Sequence, residues 1–257
     1  LRHLLGLDLP ILQQWWEYLK GISQFDLGES LHSKQAVSQL LSDRLPATLI
    51  LSAASLFVAI VIAFPLGILA AIYKDSVWDR LAMLTAMVGV SIPNFVMGPL
   101  LILIFALWLG WVPVSGKDGM SSLILPALTL GSALAAILSR MIRGSMLEVI
   151  QEDYIRAARA RGLSEFRILG SHALRNAALP IITILGMQFG ALLAGAVITE
   201  TIFSWQGIGQ LMIDSIQKRD YPVVQGCVLL VSFIYVLVNL ITDLTYTVLD
   251  PRLKLDT

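Results

Sequence analysis

The residues best suited to chemistry are few and scattered. Gly110 and Gly116-Lys117-Asp118 come nearest to a nucleotide-binding loop, but five residues separate the glycines where a phosphate cradle needs four. Asp118 also stands where a Mg²⁺-binding Ser or Thr belongs. His3, His32 and His172 are far apart, and neither His-Glu-x-x-His nor Gly-x-Ser-x-Gly occurs. The single cysteine, Cys227, excludes an internal disulfide and any multi-cysteine metal centre. No catalytic residue, metal site or cofactor is expected. What remains are polar residues inside apolar stretches: Ser91 and Asn94 beside Pro93, and Gln188. In a membrane such groups face protein or water rather than lipid. They are candidates for a translocation path. The other reading makes them interhelical hydrogen bonds, each contributing about 0.6 kcal/mol. Glu200 and Asp220 bracket a polar segment and are either contact or gating residues or solvated charges.

The elements that must hold these residues are apolar helices. Of 257 residues, 56% are hydrophobic and 14% charged, against about 25% charged in soluble domains. The net charge of zero gives no pull toward nucleic acid. Uncharged runs of 29, 36, 21, 24 and 22 residues follow Arg44, Arg80, Asp118, Arg175 and Asp220. Each can cross a hydrocarbon core about 30 Å thick, which takes about 20 helical residues. Lipid offers the backbone no hydrogen-bond partners, so each run is expected to be helical. The fold class is all-α and polytopic, with five spans. The second run is expected as one helix over 81–109, kinked near Pro93, with Trp108 and Trp111 at the interface. Gly186-x-x-x-Gly190 is a small-residue face suited to close helix packing.

Charge sets the orientation. Residues 140–175 carry seven of the 18 Lys and Arg against four acids, so this loop is expected in the cytoplasm. Alternation then puts 11 Lys and Arg inside and seven outside. Residues 1–44 become an extracytoplasmic segment ahead of a transmembrane domain over 45–257. An outside N-terminus with no signal is explained by a further span before Leu1, giving six in all with both ends inside.

Within the basic loop, Tyr154-Ile155-Arg156-Ala157-Ala158-Arg159-Ala160-Arg161-Gly162-Leu163-Ser164-Glu165 reads as a short helix with a low-profile face, stopped at Gly162. On charge alone, a solvated basic tether is the favoured reading. Here the chain resembles the permeases of ABC importers, in the dipeptide/oligopeptide/nickel branch. Arg156-Ala157-Ala158 and Gly162 match the cytoplasmic signature's spacing, with Arg156 where the wider family has Glu. Further matches are Asp26-Leu27-Gly28-Glu29-Ser30, Arg44-Leu45-Pro46-Ala47-Thr48, Ser91-Ile92-Pro93-Asn94-Phe95, Glu200-Thr201-Ile202-Phe203-Ser204-Trp205, Arg219-Asp220-Tyr221-Pro222 and Asp250-Pro251-Arg252. Gln206 departs where the branch usually has Pro.

The resemblance implies a type I importer-like permease in a bacterial inner membrane, lining half of a pore for peptides or related small solutes. It implies a second homologous permease, cytoplasmic ATP-binding subunits that do the hydrolysis, and an extracytoplasmic solute-binding protein. It makes Arg156, Ala157, Ala158, Arg159, Gly162, Leu163 and Glu165 the ATPase-coupling residues, and Glu200 and Asp220 contacts for the binding protein or a gate. A stand-alone secondary transporter or channel is the alternative class.

Overall fold

The computed structural model describes residues 8–24, 26–114 and 119–249. Arg2, Phe25, the Gly116-Lys117-Asp118 run and the Asp250-Pro251-Arg252 tail lie outside the described residues. The described residues are mostly helical, with one isolated bridge between Glu29 and Ala36. Helix α1 spans Ile11–Ser23, α2 Val37–Ile72, α3 Val77–Ser91 and α4 Asn94–Leu101. Then come α5 (Ile124–Ile150), α6 (Asp153–Ala160), α7 (Glu165–Arg167), α8 (Leu174–Ile202), α9 (Ile208–Gln217) and α10 (Tyr221–Leu249).

Three single stretches are long and apolar enough to cross a membrane: Val37–Ile72, Met120–Ile150 and Tyr221–Thr245. Two bent pairs also qualify, Val77–Ser91 with Asn94–Trp108 and Glu165–Ala178 with Pro180–Leu193. Counting each pair as one crossing gives five, one for each charge-free run. Helix α2 is 36 residues long, about 54 Å, and outreaches the hydrocarbon core. It starts at Val37, so the division placed after residue 44 falls inside a helix.

The second crossing departs from expectation. Its two halves meet at 102°, which is a break rather than a kink. Pro93 holds the preceding Ile92 in an extended conformation, φ −93° and ψ 115°, and α3 ends there. The Pro93 carbonyl then accepts from the Val96 and Met97 amides and starts α4. Both bent pairs also contain a π-helical stretch, Ile102–Trp108 and Ile168–Ala173.

The stretch expected as a loop over 140–175 is mostly helix. Helix α5 runs ten residues beyond Arg140, and α6 and α7 follow after short turns. Arg140, Arg143 and Glu148 interrupt the apolar run, yet a helix leaving the membrane need not stop where its apolar residues do. Helix α5 is the hub of the bundle, and packs on α2, α3 and α8. Small residues permit this: Gly131 lies against the Ser55 carbonyl and Val58, and Gly67 against the Ser139 carbonyl and Ile142. Between them, Ala59 and Ala63 bury against a cluster that includes Leu130, Leu134 and Leu138. Gly186 and Gly190 play the same part for α8, facing Thr242 and Tyr235 of α10.

Candidate functional site

Motifs remote in sequence meet at one end of the bundle. Thr48, in α2, donates its hydroxyl to Glu200 Oε1 at 2.6 Å and accepts from the Ile208 amide at 2.8 Å. The Gln210 amide donates to Glu200 Oε2 at 3.1 Å. Trp205 Nε1 donates to the Ala47 carbonyl at 2.8 Å. Thus Arg44-Leu45-Pro46-Ala47-Thr48 and Glu200–Trp205 form one latch joining α2, α8 and α9. Glu200 is 0% exposed. Gly207 is required beneath it, because a Cβ there would overlap the Glu200 carboxylate. Gln206, at the position that departs from the branch pattern, points to the exposed side and leaves this packing alone. Ser52 Oγ, one turn beyond Thr48, and Thr199 Oγ1, next to Glu200, are buried with no hydrogen-bond partner.

A second junction lies at the same end. Asp220 accepts from the Ser30 hydroxyl at 2.5 Å and from the Leu31 amide at 3.1 Å. His32 Nε2 lies 2.7 Å from the Lys218 carbonyl, as donor in the tautomer that carries its proton there. Gly28 supports this turn with φ +79°, its amide donating to Asp26 Oδ1. Burial pushes the Asp220 carboxyl up, but the Ser30 hydroxyl, the Leu31 and His32 amides and the His32 ring outweigh it and hold the group below its ordinary 3.8. Leu27 packs with Val37, Leu41, Ile208, Val223 and Cys227 beneath. Glu200 and Asp220, expected to face a binding protein or form a gate, are both buried and turned onto partners within the chain. In this arrangement neither carboxylate offers itself to an external protein.

The opposite end is built from charge. Asp79 caps the turn before α3 and takes a bidentate pair from Arg143 of α5, Nε–Oδ1 2.7 Å and Nη2–Oδ2 2.6 Å. Beyond it, α6 is fastened by Ile155 and Ile168, both fully buried. Ala158 also packs inward, whereas Arg156, Ala157, Arg159 and Ala160 face out. The low-profile face expected from three alanines is therefore made by two. Gly162 has φ +78°, and its amide closes the helix on the Arg159 carbonyl at 2.9 Å. Leu163 is half-buried and packs against the core cluster. Arg159 Nε pairs with Glu165 Oε1 at 2.8 Å, and Arg156 with Asp153 at 3.3 Å. Phe166, beside this pair, is 90% exposed.

The path candidates are dispersed. Ser91 is exposed and donates to the Met87 carbonyl. Asn94 is half-buried in the first turn of α4. Gln188 is half-buried and lies 200° around α8 from Gly186, so it points away from α10. No group of three or more His, Cys, Asp or Glu among the described residues is placed to hold a metal. Sequence reasoning missed the Asp79–Arg143 pair, Thr48 as the centre of the latch, and Phe166. Only Phe166 carried a local signal, as a large aromatic in a basic stretch.

Comparison with known proteins gives the family and the fold. The family model described as "Binding-protein-dependent transport system inner membrane component" matches residues 63–255. The glutathione transport system permease protein GsiC of Escherichia coli K12 is 42% identical over 253 residues, covering 98% of this chain and 83% of that one. The protein of the same name from Salmonella paratyphi A gives the same identity and coverage. An inward-facing structure of the MetNI methionine ABC transporter has TM-score 0.71 at 19% identity, over 82% of this chain and 97% of that one. An amino acid ABC transporter crystallised with histidines has TM-score 0.60 at 17% identity, over 84% and 95%. At these identities the structures speak for the fold. Family membership also sets aside a transporter working alone, since it implies ATPase subunits, a binding protein and a second permease as partners, with hydrolysis on the ATPase. The chain belongs to the binding-protein-dependent transport inner membrane component family, and is a multi-pass permease subunit of an ABC importer.

Proposed function

We propose that this permease carries peptides or related small solutes, forms half of the path with a homologous but different permease, and receives the force of ATP hydrolysis through α6 and α7. The cargo class rests on the GsiC relatives, whose name assigns them to glutathione transport. The α6 end is then cytoplasmic, in keeping with its excess of arginine, and the Glu200 end extracytoplasmic. Ser91, Asn94 and Gln188 belong to the path, and the Glu200 and Asp220 junctions act as a gate that holds the outer end shut.

The observation that supports coupling best is the construction of the α6 loop. An exposed helix is tied down by Ile155 and Ile168, ended by Gly162 in a left-handed turn, and followed by Phe166 standing in solvent. A large exposed aromatic on a membrane protein's polar loop suits the centre of a protein interface. Arg156, Ala157, Arg159, Gly162, Leu163 and Glu165 surround or support it.

Two substitutions test the reading. Gly162→Val puts a β-branched residue at positive φ, a strain of about 1–2 kcal/mol, with open space around it. Phe166→Ala removes the anchor without touching the core. Both are expected to keep normal permease levels in the membrane, to lower co-purification of the ATPase at least tenfold and to reduce substrate-stimulated hydrolysis. Unchanged docking and hydrolysis in both would reduce the loop to a positive-inside tether.

A further inference from the structure

Helix α1 is amphipathic, and among the described residues most of its apolar face has no cover. At 100° per residue, Ile11, Ile22, Trp15, Leu19, Leu12 and Trp16 fall in order within a 140° arc, while Lys20, Gln13 and Glu17 occupy the other side. Gln14, Tyr18, Gly21 and Ile22 are half-buried toward the body of the protein. Ile11, Leu12, Trp15 and Trp16 are 83%, 80%, 59% and 63% exposed.

The helix also has a defined level. Glu17, Tyr18 and Gly21 line a recess together with Gly28–Leu31, Pro222 and Gln225. Pro222 and Gln225 belong to the first turns of α10, whose span Tyr221–Thr245 is little buried within the chain. So α1 lies beside the end of that span, with its recess-lining side toward α10 and its bare arc turned away from the recess. Tyr221 at the start of α10 and Trp108 and Trp111 at the end of the second crossing are exposed too. Together with Trp15 and Trp16 they make the aromatic belt expected at one membrane interface.

We propose that α1 lies in the plane of the membrane interface, with Leu12, Trp15, Trp16 and Leu19 among the headgroups and upper acyl chains, and so anchors the segment ahead of α2 to lipid. The helix suits that place physically. Indole rings have an apolar body and one N–H, and are most stable where hydrocarbon meets water. The apolar arc carries no charge, and Lys20 stands at its edge, where its ammonium reaches the phosphates. Which leaflet is occupied rests on the orientation proposed above; occupancy itself does not.

Nitroxide labels at Leu12→Cys and Gln13→Cys test this in the assembled transporter, reconstituted into phosphatidylethanolamine–phosphatidylglycerol vesicles with Cys227→Ala. Leu12→Cys keeps both tryptophans. Collision of the label with oxygen is expected to exceed collision with a water-soluble nickel chelate several-fold at position 12, and the ratio is expected to invert at position 13. Low collision with both reagents at position 12 means a protein partner covers this face, and would overturn the proposal. Dominance of the chelate there means water, and would overturn it equally. A membrane-impermeant maleimide on Gln13→Cys in spheroplasts reads the side independently. Failure to label there, with the lipid pattern at position 12 intact, would sink the orientation and leave the anchor standing in the other leaflet.

Discussion

The two ends of the bundle close by different chemistry. At the Glu200 end, two buried carboxylates, Glu200 and Asp220, are held by hydroxyls and backbone amides from Thr48, Gln210, Ser30 and Leu31. At the α6 end the joints are charge pairs, Asp79–Arg143 between α3 and α5 and Arg159–Glu165 between α6 and α7, with Arg156–Asp153 an exposed pair within α6. The excess of arginine at the α6 end makes cations available there for pairing, whereas the carboxylates at the Glu200 end are met mainly by neutral donors. The two kinds of joint differ in their response to salt. A neutral hydrogen bond to a buried carboxylate is little affected by salt, whereas the exposed Arg159–Glu165 and Arg156–Asp153 pairs are open to ionic screening and the partly buried Asp79–Arg143 pair less so. The first kind of joint is fixed until its geometry breaks, and the second can be tuned by solvent or by a partner's charges.

The sharpest way to break this contrast is Glu200→Ala. It leaves the Gln210 amide and the Thr48 hydroxyl without acceptors in a dry site and opens a cavity, so a loss of about 4 kcal/mol is expected. Thermal melting of the purified subunit in detergent reads it. The loss should be the same at 50 mM and 500 mM salt, and a salt-dependent loss would contradict the proposed difference between the ends. Next is Asp79→Ala, which strands a partly buried guanidinium and is expected to cost about 3 kcal/mol. The double variant with Arg143→Ala should cost less than the sum of the two single changes. Additivity in that cycle would show the pair to be idle.

The smallest effect concerns acid. Asp220 is held below its ordinary 3.8, so its contribution is complete above that value and is lost as pH falls through the lower folded value. Ser30→Ala, which removes one of the bonds that lower it, is expected to flatten the acid side of the melting curve while leaving neutral stability within about 1 kcal/mol. An unchanged acid limb would mean that Asp220 is not what titrates there.

Much of the fold is legible in the chain because membrane burial is a one-dimensional constraint. Five charge-free runs become five crossings, Pro93 marks the break, and Gly162 marks a left-handed turn. What escapes is three-dimensional. Thr48 and Glu200 lie 152 residues apart and Ser30 and Asp220 lie 190 apart. Nothing in either member names the other. Arg143 reads as a loop residue, because a charge ends an apolar run whether or not a carboxylate waits across the helix boundary. The motifs thus announce that the Glu200 end matters, but not that its carboxylates face inward.

The π-helical stretches in the two bent crossings bear on evolution and engineering. A π turn houses one residue more than an α turn, and each residue added to or taken from a helix rotates the remainder of that helix by about 100°. The stretch Ile168–Ala173 stands between α6 with its Phe166 neighbourhood and Gln188 on α8. Removing one residue there would preserve every side chain on both sides of it and still turn the Phe166 neighbourhood against Gln188 by roughly a quarter of a circle. The angle between the α6–α7 face and the Gln188 face of α8 is thus set by counting, so this segment should tolerate exchange of residues far better than change of length.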